Sequence, residues 1–469
     1  SINQLPTSVT ATGITSLTDM SYAVGETVPA TLDDYRTVGS GNWSDAANWQ
    51  RYDGTSWVTA VTAPSVSANL IRIREGHNIT VNSAVTADQV IVDLNATLAT
   101  TTGGSLTIAN GGGIGLECNG TFLHATSALN VLGVANFNGG SFFNWGIGSS
   151  ISGAGTINVL AGSTFFIAGN SNHNFQNGIT LNNYTTCNWT DNGHMTWLGD
   201  GINFNNYGTF NISDGNYISN DGVTNTSFNN MAGGVINVNA TGVTSLSDNG
   251  FTFNNNGAIN VQSGTFNMYG SDGVHDGTYV ISSGAELGGT GLINFTGAEL
   301  TNNGIISINN LAIVGTEAQT IQGTGNISNL KMDNASGLTI AEEQTITTLL
   351  DLVNGKINAN GGAKVIVQTA IAGASINSYV NGNLQLSFPT GDNTLDFPIG
   401  DATTYAPVTV TMNGVSGPSL DVTFSTSAGD QANINSSDYK VLKTVNRTWK
   451  RRSGPDFTSY DVTFNCAPS

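Results

Sequence analysis

A short glycine-bounded unit recurs through the middle of this chain of 469 residues and constrains its fold more than any other feature. The unit is glycine, one variable residue, Ile or Phe, Asn, and Val or Ile, followed after a short gap by a second glycine. Copies begin at Gly155, Gly208, Gly234 and Gly257, with a looser copy at Gly277. Self-similarity with a period of about 20–50 residues is typical of solenoid proteins.

The alternation of residues inside the unit indicates strands rather than helices. Ile157 and Val159 alternate with Thr156 and Asn158, which is a period of two. β-branched and aromatic residues occupy one set of positions, and strong helix formers are scarce. Glycine and Asn occur at regular intervals in the units, where the corners between short strands need residues with a positive φ. We therefore predict an all-β protein whose body is a right-handed parallel β-helix, with each repeat forming one coil.

The Asn residue of each unit falls on the outward-facing set of positions. We expect these side chains to stack from coil to coil as one ladder joined by amide hydrogen bonds. The alternative is a flat polar face that binds carbohydrate or ice. The residues concerned are Asn158, Asn211, Asn237, Asn260 and Asn294.

Changes in composition and in residue pattern divide the chain into three predicted parts. Residues 76–375 carry the alternating pattern and correspond to about 13 coils of about 23 residues each. Residues 1–75 are rich in tryptophan, with Trp43, Trp49 and Trp57, and are predicted to cap the first coil. The alternative for these rings is to bind sugars. Residues 376–469 contain longer alternating strands separated by turn signals, which predict an Ig-like antiparallel β-sandwich.

The distribution of charge excludes some classes of function. The net charge is −19, and no Lys or Arg occurs between Arg74 and Lys331. Nucleic-acid binding needs cations against phosphate, so we expect no nucleic-acid partner for this body. No run of about 18 apolar residues is present, so no transmembrane segment is predicted. The uncharged polar composition is more common outside cells, and we expect a signal peptide to have been removed before Ser1.

A basic segment near the end contrasts with the cation-free body. Its six cations are Lys440, Lys443, Arg447, Lys450, Arg451 and Arg452. They are expected to form the solvated face of a strand and hairpin. The alternative is contact with an acidic partner or with the acidic body of the protein itself.

Three carboxylate pairs are candidates for glycoside hydrolysis, which needs two carboxyl groups about 5–10 Å apart. The pairs in the sequence are Asp191 with Asp200, Asp214 with Asp221, and Asp272 with Asp276. Each carboxylate lies near Gly or Asn in a turn context, where Asp closes Asx-turns. Asp272 and Asp276 also lack the regular acidic spacing of calcium loops. Turn formation is therefore the preferred interpretation, and no catalytic residue is assigned.

Histidine and cysteine offer no metal or cofactor site in the sequence. His194 and His275 are isolated and have no zinc-ligand spacing. Cys118, Cys187 and Cys466 are too scattered for a disulfide framework and are expected to be small buried hydrophobes. We predict no metal and no cofactor.

Both ends of the chain resemble parts of a known protein family. The stretches are "SGNWSDAANW" (40–49), "YVNGNLQLSF" (379–388), "LDFPIGDATTYAPVTVTM" (395–412) and "VNRTWKR" (445–451). They resemble secreted repetitive surface proteins of Bacteroidota, which are exported by the type IX system. The resemblance implies an adhesin or surface-layer role and a terminal β-sandwich module.

These observations predict a non-catalytic secreted protein of the cell surface with a structural or adhesive role. Its partner is expected to be an extracellular polysaccharide or protein, and self-association into fibres is a variant of the same role. The alternative is a polysaccharide-active β-helix enzyme, either a lyase or a glycoside hydrolase. A lyase is disfavoured because the body has no Lys or Arg to meet substrate carboxylates.

Overall fold

The chain is almost entirely β-structure. The computed structural model describes residues 29–190, 192–213, 215–220, 224–246, 251–269, 273–436, 445–452 and 457–465. The strands of these residues are numbered β1–β48 along the chain, and the helical elements are two 3₁₀ turns, Ala46–Asn48 and Ile434–Ser436. The strands wind into a β-solenoid of about 14 turns. The predicted all-β class and parallel β-solenoid are confirmed, and the turn count is close to the predicted one.

Three parallel sheets run along the solenoid, and each turn contributes a strand to each sheet in the order sheet 1, sheet 2, sheet 3. Sheet 1 contains β1 (Tyr35–Thr37), β5 (Ile71–Ile73), β8 (Val90–Val92), β11 (Leu116–Cys118), β14 (Val134–Phe137), β17 (Thr156–Val159), β20 (Thr180–Asn183), β23 (Asn203–Asn206), β26 (Thr226–Asn230), β28 (Phe251–Asn255), β32 (Leu292–Phe295), β35 (Asn310–Ile313) and β42 (Ala370–Ala372). Between β28 and β32, His275 takes the place of a strand through isolated bridges to Asn255 and Phe295.

Sheet 2 lies next along each turn. It contains β2 (Gly41–Asn42), β6 (Asn78–Val81), β9 (Thr97–Thr100), β12 (Thr121–His124), β15 (Phe142–Trp145), β18 (Thr164–Ile167), β21 (Thr186–Trp189), β24 (Thr209–Ile212), β30 (Thr278–Ile281), β33 (Glu299–Asn302), β36 (Gln319–Gln322), β38 (Leu338–Ile340), β40 (Ile357–Ala359), β43 (Val380–Gly382) and β45 (Ile399–Gly400).

Sheet 3 completes the turn. It contains β7 (Ala84–Ala87), β10 (Ser105–Ile108), β13 (Ala128–Val131), β16 (Ser150–Ser152), β19 (His173–Gln176), β22 (Met195–Trp197), β25 (Tyr217–Asn220), β31 (Glu286–Gly288), β34 (Ile305–Ile306), β41 (Lys364–Val367) and the start of β44 (Leu384–Phe397). Four longer strands pass a corner. β27 (Val235–Leu246) and β29 (Ala258–Met268) join sheets 2 and 3, and β37 (Asn326–Asp333) and β39 (Glu343–Asn354) join sheets 3 and 1.

The alternation predicted from the repeat is the one observed. Ile157, Val159, Phe210, Ile259 and Val261 are fully buried, and their strand neighbours face outward. Parallel pairing in register places like residues above one another, as where Ile236 pairs with Ile259. A one-residue slip would expose every inward side chain, so this burial fixes the register.

Aromatic rings stack in the interior from one turn to the next. The rings of Phe143 and Phe165 have centroids 4.9 Å apart and planes 5° apart. The rings of Phe204 and Phe228 have centroids 4.7 Å apart and planes 13° apart. A buried aromatic pair in such a geometry contributes roughly 0.5–1.5 kcal/mol beyond the burial of its area. The stacks therefore join successive turns through the core as the strand hydrogen bonds do at the surface.

Some corners are too close to a neighbouring turn for any side chain. Gly355 has a φ of +88°, and a β-carbon placed on it would lie 1.8 Å from the carbonyl oxygen of Asn334. A side chain there would meet both a strained φ and a backbone clash. Glycine is therefore required at position 355, where the chain turns the corner between two strands.

The Trp-rich segment folds against the first strand of sheet 1. β1 pairs in parallel with β5 and in antiparallel with β3 (Trp49–Tyr52), which continues to β4 (Trp57–Thr59). Trp43 and Trp49 are buried with ring centroids 5.0 Å apart. The indole N–H of Trp43 donates to the carbonyl of Pro64, and that of Trp49 donates to the carbonyl of Trp43. Residues 1–28 of the predicted cap lie outside the described part of the chain.

The terminal strands continue from the solenoid. The predicted boundary near residue 375 falls between β42 and β43, and the parallel ladder continues across it because β43 pairs with β40 and β44 with β41. β44 then pairs in antiparallel with the long strand β46 (Val408–Ala428). The other edge of β46 pairs with β47 (Arg447–Arg452) and β48 (Ser459–Phe464).

Residues of the terminal sequence motifs contact one another where the solenoid continues into these strands. They are Tyr379, Asp401, Ala406, Arg447 and Trp449. Nη2 of Arg447 lies 2.8 Å from Oδ2 of Asp401, and both side chains are largely buried. The indole N–H of Trp449 donates to the carbonyl of Ala406, and the Tyr379 hydroxyl donates to that of Asp401. Burial would raise the pKa of Asp401, but hydrogen bonds from the Thr403 and Thr404 backbone and from Arg447 lower it to about 2. These residues thus have a structural role.

Candidate binding surface

The outer face of sheet 1 carries a continuous column of asparagine side chains over six successive turns. In each step the Nδ2 of one residue donates to the Oδ1 of the residue one turn earlier, over 2.7–2.9 Å. The column, here called the sheet 1 ladder, consists of Asn136, Asn158, Asn182, Asn205, Asn229 and Asn254. Parallel pairing in register creates it, because identical residues on successive strands lie about 4.8 Å apart.

A second polar column lies beside the sheet 1 ladder, two residues earlier on each strand after β14, where this position is Val134. Its members are Thr156, Thr180, Asn203, Ser227 and Thr252. The Ser227 hydroxyl donates to Oδ1 of Asn203 over 2.7 Å, and Asn229 donates to the Ser227 hydroxyl over 2.9 Å. Asn158, Asn182 and Asn205 each use one N–H and the amide oxygen within the ladder, so a second N–H remains for a partner. The result is a flat, uncharged face with polar groups at regular intervals.

Sheet 2 carries a shorter ladder of the same kind. Its members, here called the sheet 2 ladder, are Asn188, Asn211, Asn237 and Asn260, joined by hydrogen bonds of 2.8–2.9 Å. The predicted amide bonding from turn to turn is therefore confirmed for Asn158, Asn211, Asn237 and Asn260. The prediction of one ladder was wrong, because Asn158 lies on sheet 1. Asn294 also lies on sheet 1, where its partner in the next turn is Ala312.

A third ladder, which sequence reasoning missed, is buried at the corner between sheets 1 and 2. Asn183, Asn206, Asn230 and Asn255 are fully buried. The amides donate forward along the chain, from each residue to the next, over 2.8–2.9 Å. Remaining N–H donor capacity goes to backbone carbonyls of the following turn, including those of Thr209, Val235 and Ala258. The signal for it is a recurring Asn-Asn pair, whose first member faces out and whose second faces in.

The candidate carboxylates are only partly within the described residues. Asp191, Asp214, Asp221 and Asp272 lie outside them, so each predicted pair has a member that is not described. Oδ1 of Asp200 accepts hydrogen bonds from the backbone N–H and the hydroxyl of Thr224, at 2.7 and 3.2 Å. Asp200 thus joins one corner to the next turn of the solenoid, which is a structural contact but not the local Asx-turn predicted from the sequence. Asp276 is exposed beside the buried His275.

The two histidines considered as metal ligands, His194 and His275, have different environments. His194 is half-buried, packs 3.8 Å from the ring of Tyr217, and accepts the Tyr217 backbone N–H at Nδ1. His275 is buried, with Nδ1 2.7 Å from the Tyr279 hydroxyl, and burial lowers the pKa of its imidazole to about 4. Across the described ranges, no group of three or more His, Cys, Asp or Glu residues is arranged to hold a metal ion.

The described cysteines behave as predicted. Cys118 in sheet 1 and Cys187 in sheet 2 are buried free thiols. Burial raises the pKa of Cys118 to about 12 and that of Cys187 well above its usual value. A thiol that stays protonated is a poor nucleophile and metal ligand, so both serve as small apolar groups in the core. Cys466 lies outside the described residues.

The basic segment is also partly described. Lys440 and Lys443 lie outside the described residues. Arg447 pairs with Asp401, as given above. The Arg451 guanidinium lies over the rings of Phe457 and Tyr460, at 5.0 and 4.7 Å from their centroids. At least two of its cations are therefore engaged within the protein.

The last observations on the chain concern membrane-spanning helices and similarity to known proteins. The described residues contain no helix with the length and apolar character needed to cross a membrane. Among protein-family models, curated proteins and solved structures, none matches this chain.

Proposed function

We propose that the protein is a non-catalytic, secreted protein of the cell surface with a structural or adhesive role. In this role the solenoid is a rigid spacer, and the outer face of sheet 1 is the surface that contacts an extracellular polysaccharide or protein. Lateral or end-to-end self-association into fibres is a variant of the same role.

The observation that carries the proposal is the sheet 1 ladder. Its six amides are spaced by one turn each and bonded to one another, so they form a preorganised row of donors and acceptors. A partner with a repeating structure can form the same hydrogen bond with several ladder amides. Because these amides are already ordered, they lose little entropy on binding. The neighbouring column of Thr, Asn and Ser extends this row into a flat surface, which suits adhesion better than enclosure of a substrate.

The alternative proposal is a polysaccharide-active enzyme of the β-helix type. The carboxylate of Asp200 is hydrogen-bonded to Thr224 in the next turn of the solenoid, and this structural contact favours the non-catalytic proposal over the enzyme. The Arg and Lys residues that a lyase needs against substrate carboxylates do not occur between Arg74 and Lys331.

The finer features of the fold belong to the same proposal. We propose a right-handed coil, because crossovers between parallel strands are right-handed in about 98% of cases. The buried pair of Trp43 and Trp49 supports a capping role for the N-terminal segment. The antiparallel pairing of β44 and β46 supports a terminal sandwich module. Location outside the cell and export by the type IX system rest on the resemblance to surface proteins of Bacteroidota.

The two outer ladders allow a matched test of the contact surface. The protein would be applied to an immobilised panel of cellulose, chitin, pectin, alginate and dextran, and its retention measured against two double variants. One variant carries Asn182→Ala and Asn205→Ala in the sheet 1 ladder. The control carries Asn211→Ala and Asn237→Ala in the sheet 2 ladder, which removes the same two groups from another face.

We expect the parent protein to be retained by at least one polysaccharide. The sheet 1 variant should lose most of this retention, and the sheet 2 variant should keep it, because only the first alters the proposed contact face. Thermal unfolding of both variants controls for folding. Equal retention of the two variants, or no retention of the parent protein, would contradict an adhesive role for this face.

A further inference from the structure

Three arginines converge at the N-terminal end of the outer face of sheet 1. Arg36 and Arg72 are direct partners in the pairing of β1 with β5, and Arg74 lies two residues beyond Arg72. Together with Trp57 they line an open cleft of about 650 Å³ that also includes Glu75 and Asp93. Arg36, Arg72, Arg74 and Trp57 are here called the arginine patch.

Two of the three guanidinium groups are held in fixed positions. Nε and Nη2 of Arg36 both donate to Oε1 of Gln50, at 3.0 and 2.8 Å, and its guanidinium carbon lies 4.2 Å from the Trp57 ring centroid. Arg72 donates through Nε to both carboxylate oxygens of Asp93, at 3.0 and 2.9 Å. A guanidinium fixed by stacking and hydrogen bonds loses little freedom when it binds an oxyanion.

The positive charge of the patch is not balanced within the described part of the chain. The exposed Arg74 guanidinium makes neither an ion pair nor a hydrogen bond with any described residue. Asp93 is occupied by Arg72, and Oε1 of Glu75 accepts a hydrogen bond from Asn95. Like charges directly opposite each other on neighbouring strands are unfavourable. Partial burial and then the Arg74 charge lower the pKa of the Arg36 guanidinium.

We propose that the arginine patch binds a carboxylate or sulfate group of an acidic polysaccharide. Planar guanidinium groups recognise such oxyanions through paired, charge-assisted hydrogen bonds. Half-exposed Trp57 and Tyr52 lie side by side, with ring centroids 5.4 Å apart, and offer an apolar surface for the sugar ring. The chain as a whole is strongly acidic, with a net charge of −19, which disfavours the long phosphate tracks of nucleic acids.

The position of the patch fits an extended polymer. In the strand register, Arg36 and Arg72 occupy the same outward column as Ile91, Glu117 and then Asn136, where the sheet 1 ladder begins. A polysaccharide lying along this face therefore reaches both surfaces. The patch does not depend on the ladder for its chemistry, so the two sites are tested separately.

Isothermal titration of the full chain with polygalacturonate, dextran sulfate and neutral dextran tests the proposal. The variants are Arg74→Gln and Arg36→Gln. Lys331→Gln is the control, because it removes one positive charge from the same outer face far from the patch, where Lys331 pairs with Asp333. Unchanged circular dichroism and thermal midpoints verify that the variants fold.

We expect binding of one or both acidic polymers, which identifies the recognised group as carboxylate or sulfate, and no binding of dextran. Arg74→Gln should weaken binding by about tenfold or more, since it removes an unpaired charge from the site. Lys331→Gln should stay within about twofold of the parent protein. Binding of neither acidic polymer, unchanged affinity in Arg74→Gln, or equally tight binding of single-stranded DNA would overturn the proposal.

Discussion

Asn205 and Asn206 are neighbours in the chain whose amides donate in opposite directions along the solenoid. Asn205 faces outward and donates to Asn182 in the preceding turn over 2.8 Å, whereas Asn206 faces inward and donates to Asn230 in the following turn over 2.9 Å. The outer and inner ladders therefore have opposed amide dipoles, and chains of hydrogen bonds strengthen each other cooperatively. One strand thus links its turn to both neighbours through side chains as well as through the backbone.

The difference in burial between these two residues predicts different effects on stability. Asn206→Ala should lower the free energy of unfolding by about 2–4 kcal/mol, because it removes four hydrogen bonds from the interior. The lost bonds are the one that Asn206 accepts from Asn183 and those that it donates to Oδ1 of Asn230 and to the carbonyls of Gly208 and Val235. Asn205→Ala should cost about 1 kcal/mol or less, because solvent can replace its bonds. Chemical denaturation measures both. An equal loss in the two variants would show that the inner ladder has no special role in stability.

The alternation of β29 gives a test of the register. Ile259 is fully buried, and Asn260 faces outward with its Nδ2 2.9 Å from Oδ1 of Asn237. Ile259→Asp should prevent folding or cost several kcal/mol, since it buries a carboxylate with no partner. Asn260→Asp should leave a folded protein with a modestly lower thermal midpoint. If the two variants unfolded at the same temperature, the assigned register would be wrong by one residue.

Buried histidine predicts that stability falls in mild acid. Burial lowers the pKa of His124 to about 4, from an ordinary value near 6.5. The folded state then binds fewer protons than the unfolded state between these values. The stabilising contribution is complete above about pH 6.5 and is lost as the pH falls towards 4, by up to about 3 kcal/mol.

The measurement is the free energy of unfolding at pH 7 and pH 4.5 for the parent protein, His124→Gln and His194→Gln. His124→Gln should show a smaller loss between the two pH values than the parent protein. His194 is only half-buried, so its variant should keep nearly the full loss. An identical pH dependence in all three proteins would mean that His124 does not titrate in this range.

The fold was largely predictable because period-two alternation determines which side chains face inward. Ile157 and Ile259 were assigned to the core from this pattern, and both are buried there. The pattern does not say how many corners a turn has or to which sheet a strand belongs. The pattern therefore predicts one ladder for Asn158 and Asn211, although they lie on two different sheets.

The remaining features of the candidate sites depend on contacts between distant parts of the chain. The inner ladder was missed because Asn is normally placed outside on polarity, and Asn206 is tolerated inside only because its neighbours satisfy its hydrogen bonds. The pairing of Arg36 with Arg72 joins strands whose register local sequence does not specify. The sequence indicates capping or sugar binding for Trp57, but its contact with Arg36 depends on the fold.

The central claim is that the protein holds its partners without chemically altering them. Incubation with pectin, polygalacturonate, alginate, cellulose and chitin, followed by assays for reducing ends and for unsaturated products, tests this claim most directly. Asp276→Asn is the control that links any activity to this chain, because Asp276 is the described member of a candidate pair and its side chain is exposed. The account predicts no product above a heat-denatured control for any polysaccharide, including those that bind. Steady release of product that is lost in Asp276→Asn would contradict it and establish the enzymatic alternative.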